Sequence, residues 1–138
     1  MVSVLLECTL DDCTGEVLAH AIEKLMEEGA QDAHAFFGIG KKGRPVFVLR
    51  VVCKGKDAAK FSKMMARETG TMGVKKFVFT HIDFEKKVRG ERTVLGVLHS
   101  KSTAMSSKYE FAELRRKSKE KGMALRELMG KIGAKRRE

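Results

Sequence analysis

The chain has 138 residues, of which 43% are hydrophobic and 33% charged, a composition typical of one globular domain with its own core. Its longest apolar run, Val46–Leu49, is far shorter than a membrane helix requires, so the composition excludes a membrane span. The start, Met1-Val2-Ser3, leads directly into a predicted strand without a basic region or a cleavable apolar stretch. We therefore expect a cytoplasmic protein without a secretory signal.

The formal net charge of +10 is unevenly distributed along the chain. Residues 1–34 hold one basic residue, Lys24, and eight acidic ones, whereas residues 101–138 hold twelve basic and five acidic residues. A basic half of this kind suits nucleic acid, nucleotide phosphates or an acidic partner subunit, and charge alone does not choose among them.

Cysteines and histidines are too scattered to indicate a zinc site. Cys8 and Cys13 are close in sequence and Cys53 is distant, which matches no zinc-ligand spacing. The odd number of cysteines favours reduced thiols, and Cys13, which follows two aspartates, is the one to test for reactivity. Since the four histidines form no HxH or HxxxH pair, we do not expect this chain to bind nickel tightly alone.

The stretch from Glu7 to Glu16 (ECTLDDCTGE) lies between a predicted strand and a predicted amphipathic helix. A helix start presents free N–H groups and the positive end of the helix dipole, which attract phosphate. The adjacent Asp11 and Asp12 add oxygen ligands of the kind that Mg²⁺ or Mn²⁺ prefers. The ordinary alternative is that Asp12 or Thr14 only caps the helix, but the stretch holds more carboxylates than a cap needs.

Hydrophobic periodicity predicts the element order β-α-β-β-α-β, followed by a hairpin and further helices. The predicted segments are strand 2–7, helix 14–28, strand 33–39, strand 46–53, helix 57–68, strand 74–84, hairpin strands 87–89 and 93–98, a polar link 101–107, helix 109–121 and helix 125–132. The first six elements are those of the ferredoxin-like α+β sandwich, in which two helices cover one face of a four-stranded antiparallel sheet. Aromatic residues in the strands predict that the other face is covered or used in assembly.

The predicted organisation has three parts. Residues 1–85 form the ferredoxin-like core, residues 86–133 form an added hairpin and a helical appendage of the same domain, and residues 134–138 form a disordered basic tail.

Two predicted loops of this core carry polar groups suited to phosphate. The tip of the first hairpin holds Lys41, Lys42 and Arg44 around a glycine, although basic turns are commonly just solvated. The loop after the second helix holds Thr69 and Thr71 together with two glycines, which is also compatible with an ordinary helix cap and turn.

Three stretches taken together resemble a known family. They are Glu7–Glu16, Lys41–Pro45 (KKGRP) and Arg67–Val74 (RETGTMGV). In this order and spacing they are similar to the C-terminal domain of the LarC family of nickel-insertion proteins, which are CTP-dependent cyclometallases of nickel-pincer nucleotide synthesis. The segments Lys108–Glu110 and Leu125–Glu127 match the C-terminal helical part of that family more loosely.

The resemblance implies that the core 1–85 self-assembles and binds CTP with Mg²⁺ or Mn²⁺. It also implies that the chain is the nucleotide-binding part of a lyase-class enzyme that inserts nickel into a pyridinium dithiocarboxylic mononucleotide. By matching position, the implied metal ligands are Asp11 and Asp12, and the implied nucleotide-binding residues are Lys41, Lys42, Arg44, Arg67, Thr69, Thr71 and Thr14. The resemblance does not identify a catalytic residue in this chain.

The expected partners follow from the same resemblance. Full-length family members carry a larger N-terminal domain proposed to hold nickel, so we expect nickel to arrive through a separate subunit or through the substrate. We also expect a homo-oligomer, a trimer or a hexamer, in which loops of different subunits share one site.

The family pattern is not matched everywhere, and two other functions stay open. Thr9, Cys13 and Gly70 stand where the family usually has Asn, Met and Ser or Thr. A ferredoxin-like RNA-binding module is one alternative, which is disfavoured because Phe77 and Phe79 lack the Gly-Phe context of an RNP motif. A nucleotide-sensing oligomer without catalysis is the other, and it would use the same residues.

Overall fold

The computed structural model describes residues 2–134, which fold into two compact units, unit 1 from residue 2 to 81 and unit 2 from residue 82 to 134. The elements of unit 1 are β1 (Ser3–Leu10), α1 (Gly15–Glu27), β2 (Asp32–Ile39), β3 (Pro45–Lys54), α2 (Ala58–Thr69) and β4 (Lys75–Phe79). Its four strands form an antiparallel sheet in the order β2-β3-β1-β4. The expected α+β class and the β-α-β-β-α-β order are therefore confirmed, since β1 and β2 run parallel with β3 inserted between them.

The core of unit 1 follows from strict alternation along the central strands. In β1 every second side chain is buried, and these residues pack with the apolar stripes of α1 and α2. The core members from β1, β3 and the two helices include Val4, Leu6, Cys8, Leu10, Leu49, Val51, Cys53, Leu18, Leu25, Phe61 and Met65. Each fully buried Leu or Phe in such a cluster stabilises the fold by about 1.5–3 kcal/mol relative to exposure.

Two strand lengths in unit 1 differ from the sequence prediction. β1 continues beyond Glu7 to Leu10, because the alternation persists and Leu10 still pairs with Phe47 of β3. β4 ends at Phe79 instead of reaching residue 84, because its last residue pairs with Ser3, where β1 begins. A strand without a neighbour to supply hydrogen bonds does not continue.

Unit 2 contains β5 (Lys87–Thr93), β6 (Gly96–Ser102), β7 (Ser107–Tyr109), α3 (Phe111–Lys121) and α4 (Leu125–Ala134). The strands form a second antiparallel sheet in the order β5-β6-β7. The predicted hairpin exists, but its turn was placed wrongly: Gly90 lies inside β5 opposite His99, and the chain reverses between Thr93 and Gly96. Gly96 has φ +95°, which an L side chain rarely adopts, and this conformation allows the tight reversal.

The rest of unit 2 shows one further correction. The predicted polar link, 101–107, is partly strand, because β6 continues into it as far as Ser102 and β7 begins at its last residue, Ser107. β7 ends at Tyr109, where the helix was predicted to start, and α3 begins at Phe111 instead. β7 was missed because it is only three residues long and polar, so that its pairing with β6 provides the only signal.

A separate apolar cluster stabilises unit 2. Its buried members, drawn from the β5–β6 turn, β6, α3 and α4, are Leu95, Leu98, Leu114, Leu128 and Ile132. On α3, Leu114 is buried, whereas Phe111 is exposed.

No described helix is both long and apolar enough to cross a membrane. The prediction of a disordered basic tail falls on residues that lie outside the described part of the chain, apart from Ala134, which ends α4.

Candidate functional site

The strand register of unit 1 brings the acidic stretch and the basic hairpin tip to the same end of the sheet. Because β1 runs antiparallel to β3, the last residue of β1, Leu10, lies beside Phe47 near the start of β3. The turn that joins β2 to β3 therefore lies next to the segment that leaves β1. This segment carries Asp11, and the turn carries Lys41 and Arg44.

A pocket of about 560 Å³ opens between these two segments. This volume is within the range of small-molecule sites in proteins. The pocket is lined by Thr9, Asp11, Gly40, Lys41, Lys42, Arg44 and Val46. Of the nine residues predicted to bind metal or nucleotide, the structure thus brings four together within one chain: Asp11, Lys41, Lys42 and Arg44. Three cationic side chains facing one carboxylate give a lining suited to an anion that carries a cation with it.

The basic turn has an unusual backbone. Lys42 has φ +60° and ψ +24°, the left-handed region that a residue with a side chain enters at a cost of about 1 kcal/mol. Gly43 follows at φ +68°, and the turn is closed by a 2.7 Å hydrogen bond from the Gly40 N–H to the Arg44 carbonyl. This closure holds Lys41 and Lys42 at the pocket rim.

Gly40 is favoured at this position for a steric reason. A Cβ at residue 40 would lie 2.8 Å from a methyl carbon of Val46, which is too close for real Cβ contacts. A larger residue at position 40 would therefore force Val46 or the hairpin backbone to shift.

Asp11 and Arg44 form an ion pair across the pocket. Arg44 Nη1 lies 3.5 Å from Asp11 Oδ2, and the two side chains are 63% and 51% exposed. A pair this exposed is weak, because water screens it and two long side chains must be held in place.

The structure places Asp12 and Thr14 differently from Asp11. Asp12 is exposed in the loop and does not line the pocket. The Thr14 hydroxyl accepts a hydrogen bond of 3.3 Å from the Val17 N–H, so Thr14 is the N-cap of α1. The capping role considered for Thr14 from the sequence is therefore present in the fold.

The fit to a divalent cation depends on what the ligand supplies. Within residues 2–134, no group of three or more His, Cys, Asp or Glu side chains could hold a metal ion. Mg²⁺ is commonly held by one or two carboxylates and completed by phosphate oxygens and water. Asp11, and Asp12 next to it, fit that arrangement, in which the nucleotide itself brings most of the oxygen ligands.

The loop after α2 lies at the same end of the sheet, on the other side of β1. Thr69 donates a hydrogen bond of 2.7 Å to the Met65 carbonyl, and Thr71 donates one of 3.0 Å to the Gly73 carbonyl. Thr71 also lines a separate shallow pocket of about 300 Å³, with Val74 at its edge. Both hydroxyls thus organise the loop.

Arg67, the remaining predicted residue of this loop region, is exposed on the last turn of α2. It does not line the pocket at the basic turn.

The thiols of this region are not activated. Burial raises the pKa of the Cys8 thiol, while its side-chain interactions with Thr71 and Thr69 act in the opposite sense. Burial, and secondarily the charge of Asp12, raise the pKa of Cys13. A raised pKa leaves little thiolate at neutral pH, so Cys13 lacks the character of a nucleophile.

Sequence reasoning missed three lining residues: Thr9, Gly40 and Val46. The signal for Thr9 was the alternation of Leu6, Cys8 and Leu10, which extends β1 and points Thr9 to the sheet face opposite the helices. No sequence signal distinguishes Gly40 from the other glycines, because its role depends on the approach of Val46 in space.

A charged group on the same sheet face was also missed. Glu7 lies between two cations: its Oε2 is 2.8 Å from Arg50 Nε and its Oε1 is 3.7 Å from Lys75 Nζ. The Arg50 guanidinium in turn lies 4.8 Å from the centre of the Phe36 ring. These contacts connect all four strands. Glu7 is 13% exposed and does not line the pocket.

Together these features define a class of protein: a ferredoxin-like domain with a pocket of three cations and one carboxylate at one end of its sheet. Comparison with known proteins identifies the family to which this domain belongs. The chain belongs to the nickel insertion protein family, whose model matches residues 2–129.

Curated relatives agree with this assignment. The chain is 33% identical over 136 residues to a protein of Maridesulfovibrio salexigens, and 32% identical over 136 residues to one of Methanothermobacter thermautotrophicus. The two alignments cover 95% and 91% of this chain, and both relatives are provisionally described as nickel insertion proteins. The chain spans about a third of their length, 33% in each case.

Solved structures show the same fold. The C-terminal domain of LarC, a cyclometallase involved in the synthesis of the NPN cofactor of lactate racemase, matches with a TM-score of 0.84 at 24% identity. That match covers 95% of this chain and 94% of the LarC domain. A crystal structure from Methanopyrus kandleri matches with a TM-score of 0.62 at 31% identity and covers 91% and 81% of the two chains.

Proposed function

We propose that unit 1 binds CTP together with Mg²⁺ or Mn²⁺, and that the chain serves in nickel insertion into the nickel-pincer nucleotide cofactor. The observation that supports this most strongly is the pocket in which Lys41, Lys42 and Arg44 face Asp11. Family membership supports the nickel-insertion part. The resemblance of three sequence stretches to the LarC family supports the choice of CTP.

In this proposal each group of the pocket has a distinct task. Lys41, Lys42 and Arg44 bind phosphate oxygens, with Arg44 able to offer two parallel N–H groups. Asp11, assisted by Asp12, binds the divalent cation, which when present neutralises phosphate charge. The closed turn fixes the backbone that carries the lysines before binding, so that less backbone entropy is lost on binding.

Nickel is the cargo of the reaction in this proposal, and its carrier is a separate subunit or the mononucleotide substrate. The same proposal includes a homo-oligomer. Because Asp11 and the basic turn line one pocket of a single chain, a shared site would need a second subunit only for the loop that holds Arg67, Thr69 and Thr71.

The test is calorimetric titration of CTP, ATP and GTP, each with and without Mn²⁺. We expect metal-dependent binding with preference for CTP, weakened about tenfold or more in Lys41→Ala, because a hydrogen bond to a charged group contributes roughly 1.5–3 kcal/mol. Asp12→Ala is expected to reduce the metal dependence. Lys56→Ala is the matched control, since Lys56 is exposed at the opposite end of the sheet, just after the residue that pairs with Ser3.

Two outcomes would change the proposal. Absence of binding by any nucleotide would refute it and make RNA the next ligand to test. Binding without metal-dependent turnover, even with a nickel-loaded partner present, would favour a nucleotide-sensing role for the same pocket.

A further inference from the structure

The Asp11–Arg44 ion pair occupies two of the groups that a ligand of the pocket would need. The pair spans 3.5 Å, and both side chains are more than half exposed. Exposed pairs contribute only about 0.2–1 kcal/mol, so this one can be exchanged for other partners at little cost. What replaces it depends on the charges that the ligand brings.

We propose that Asp11 makes this pocket selective for metal-bound over metal-free polyphosphate, through exchange of its ion pair with Arg44. The inference rests on the proposed nucleotide-binding function and adds a specificity determinant to it. A metal-free polyphosphate competes with Asp11 for Arg44 and also meets the negative charge of the carboxylate. A metal-bound polyphosphate gives each member of the pair a new partner: Arg44 takes a phosphate oxygen and Asp11 takes the cation.

Asp12 provides a matched comparison for Asp11. Both aspartates are exposed, adjacent and equal in charge, but only Asp11 lines the pocket. Among the described residues, Asp11 is paired with Arg44 and Asp12 forms no ion pair. If the negative charge acted only at long range, removing it from Asp11 or from Asp12 would change polyphosphate affinity by a similar factor. If it acts through Arg44, only the change at Asp11 should alter the affinity.

The experiment measures binding of inorganic tripolyphosphate and of CTP at constant ionic strength, once with EDTA and once with Mn²⁺. With EDTA, we expect Asp11→Asn to bind both ligands about two- to fivefold more tightly than the wild type, the range set by an exposed ion pair. With Mn²⁺, the same variant is expected to bind CTP at least about tenfold more weakly, because the cation loses a carboxylate ligand. Tighter binding without metal together with weaker binding with Mn²⁺ in the same variant is the result that the ion-pair exchange predicts.

The controls separate this inference from simpler effects. With EDTA there is no cation for Asp12 to help bind, so Asp12→Asn is expected to change polyphosphate binding by less than about twofold, because its exposed charge lies outside the pocket and is screened. In an Arg44→Gln background the metal-free gain from Asp11→Asn should fall to the Asp12→Asn level. Equal gains in Asp11→Asn and Asp12→Asn, or a full gain without Arg44, would overturn the inference while leaving the nucleotide site intact. Failure of the wild type to bind CTP with Mn²⁺ would instead refute the proposed function.

Discussion

Thr14 is the residue at which a structural and a ligand-binding role can be separated most cleanly. Its position beside two aspartates suggests phosphate binding, whereas its hydroxyl already accepts the Val17 N–H as the N-cap of α1. A hydroxyl oxygen that accepts a hydrogen bond from a helix N–H serves mainly to stabilise the helix.

We expect Thr14→Ala to lower the free energy of unfolding by about 1 kcal/mol through loss of the cap. Thr14→Ser keeps a hydroxyl and should lose much less. The measurement is denaturant unfolding by circular dichroism alongside CTP titration. If Thr14→Ala weakens CTP binding strongly while stability is unchanged, Thr14 is a ligand-binding residue and the capping account is insufficient.

The residue scale also shows how far sequence reasoning reached in the site. The charges of the site could be predicted, because acidic and basic loops are recognised from their residue types. They are those of Asp11, Lys41, Lys42 and Arg44. The ion pair between Asp11 and Arg44 was not, since it depends on the register of β1 with β3. The left-handed backbone of Lys42 could not be predicted from the sequence either, because such a conformation is normally indicated by glycine and not by lysine.

At the scale of elements, α3 is attached to β6 by one carboxylate. Glu113 accepts a 2.6 Å hydrogen bond from the His99 N–H and lies 2.7 Å from His99 Nδ1. The backbone hydrogen bond, followed by the side-chain one, lowers the pKa of Glu113 below its ordinary value of 4.5. This carboxylate therefore contributes stability that is present above its pKa in the unfolded chain and is lost as the pH falls through its lower pKa in the folded state.

We expect unit 2 to lose stability as the pH falls below about 4.5, with Glu113→Gln showing a smaller loss over the same range. At pH 7 the variant should be less stable than the wild type, because the amide cannot replace a carboxylate that accepts two hydrogen bonds. The fluorescence of Tyr109, the only tyrosine in a chain without tryptophan, reports this unfolding. Glu120→Gln, on the exposed side of the same helix, is the control, and an equal pH profile in both variants would contradict the account.

At the scale of the whole molecule, residues 2–134 form two apolar cores that share no residue. One lies between the four-stranded sheet and its two helices, and the other packs α3 and α4 with the three-stranded sheet. The candidate site belongs to unit 1 alone, since every residue that lines its pocket precedes His81. Damage to the second core should therefore spare ligand binding.

We expect Leu98→Ala to destabilise unit 2 by about 2–5 kcal/mol, because a fully buried leucine leaves a cavity when truncated. Tyr109 fluorescence should show the lower unfolding midpoint, while CTP affinity under native conditions stays within about twofold of the wild type. Leu6→Ala, the matched change in unit 1, should reduce CTP binding at temperatures where unit 1 opens. Loss of CTP binding in Leu98→Ala with unit 1 still folded would show that the site depends on unit 2.

The order of the first six elements was determined by the sequence alone, because helix and strand periodicities are local properties of the chain. The same holds for the ends of α1 at Thr14 and of α2 at Gly70, which are decided by a capping hydroxyl and by a glycine at φ +74°. The family resemblance was also recognised from three short stretches of the sequence alone.

Tertiary structure alone decided where strands stop and which loops meet. β4 ends where β1 no longer offers a partner, and β7 exists only because β6 lies beside it. The pocket likewise arises from pairing between residues far apart in sequence, Leu10 with Phe47, which brings Asp11 to Arg44. Such contacts depend on packing and hydrogen bonds over the whole sheet, so they cannot be predicted from any single stretch of sequence.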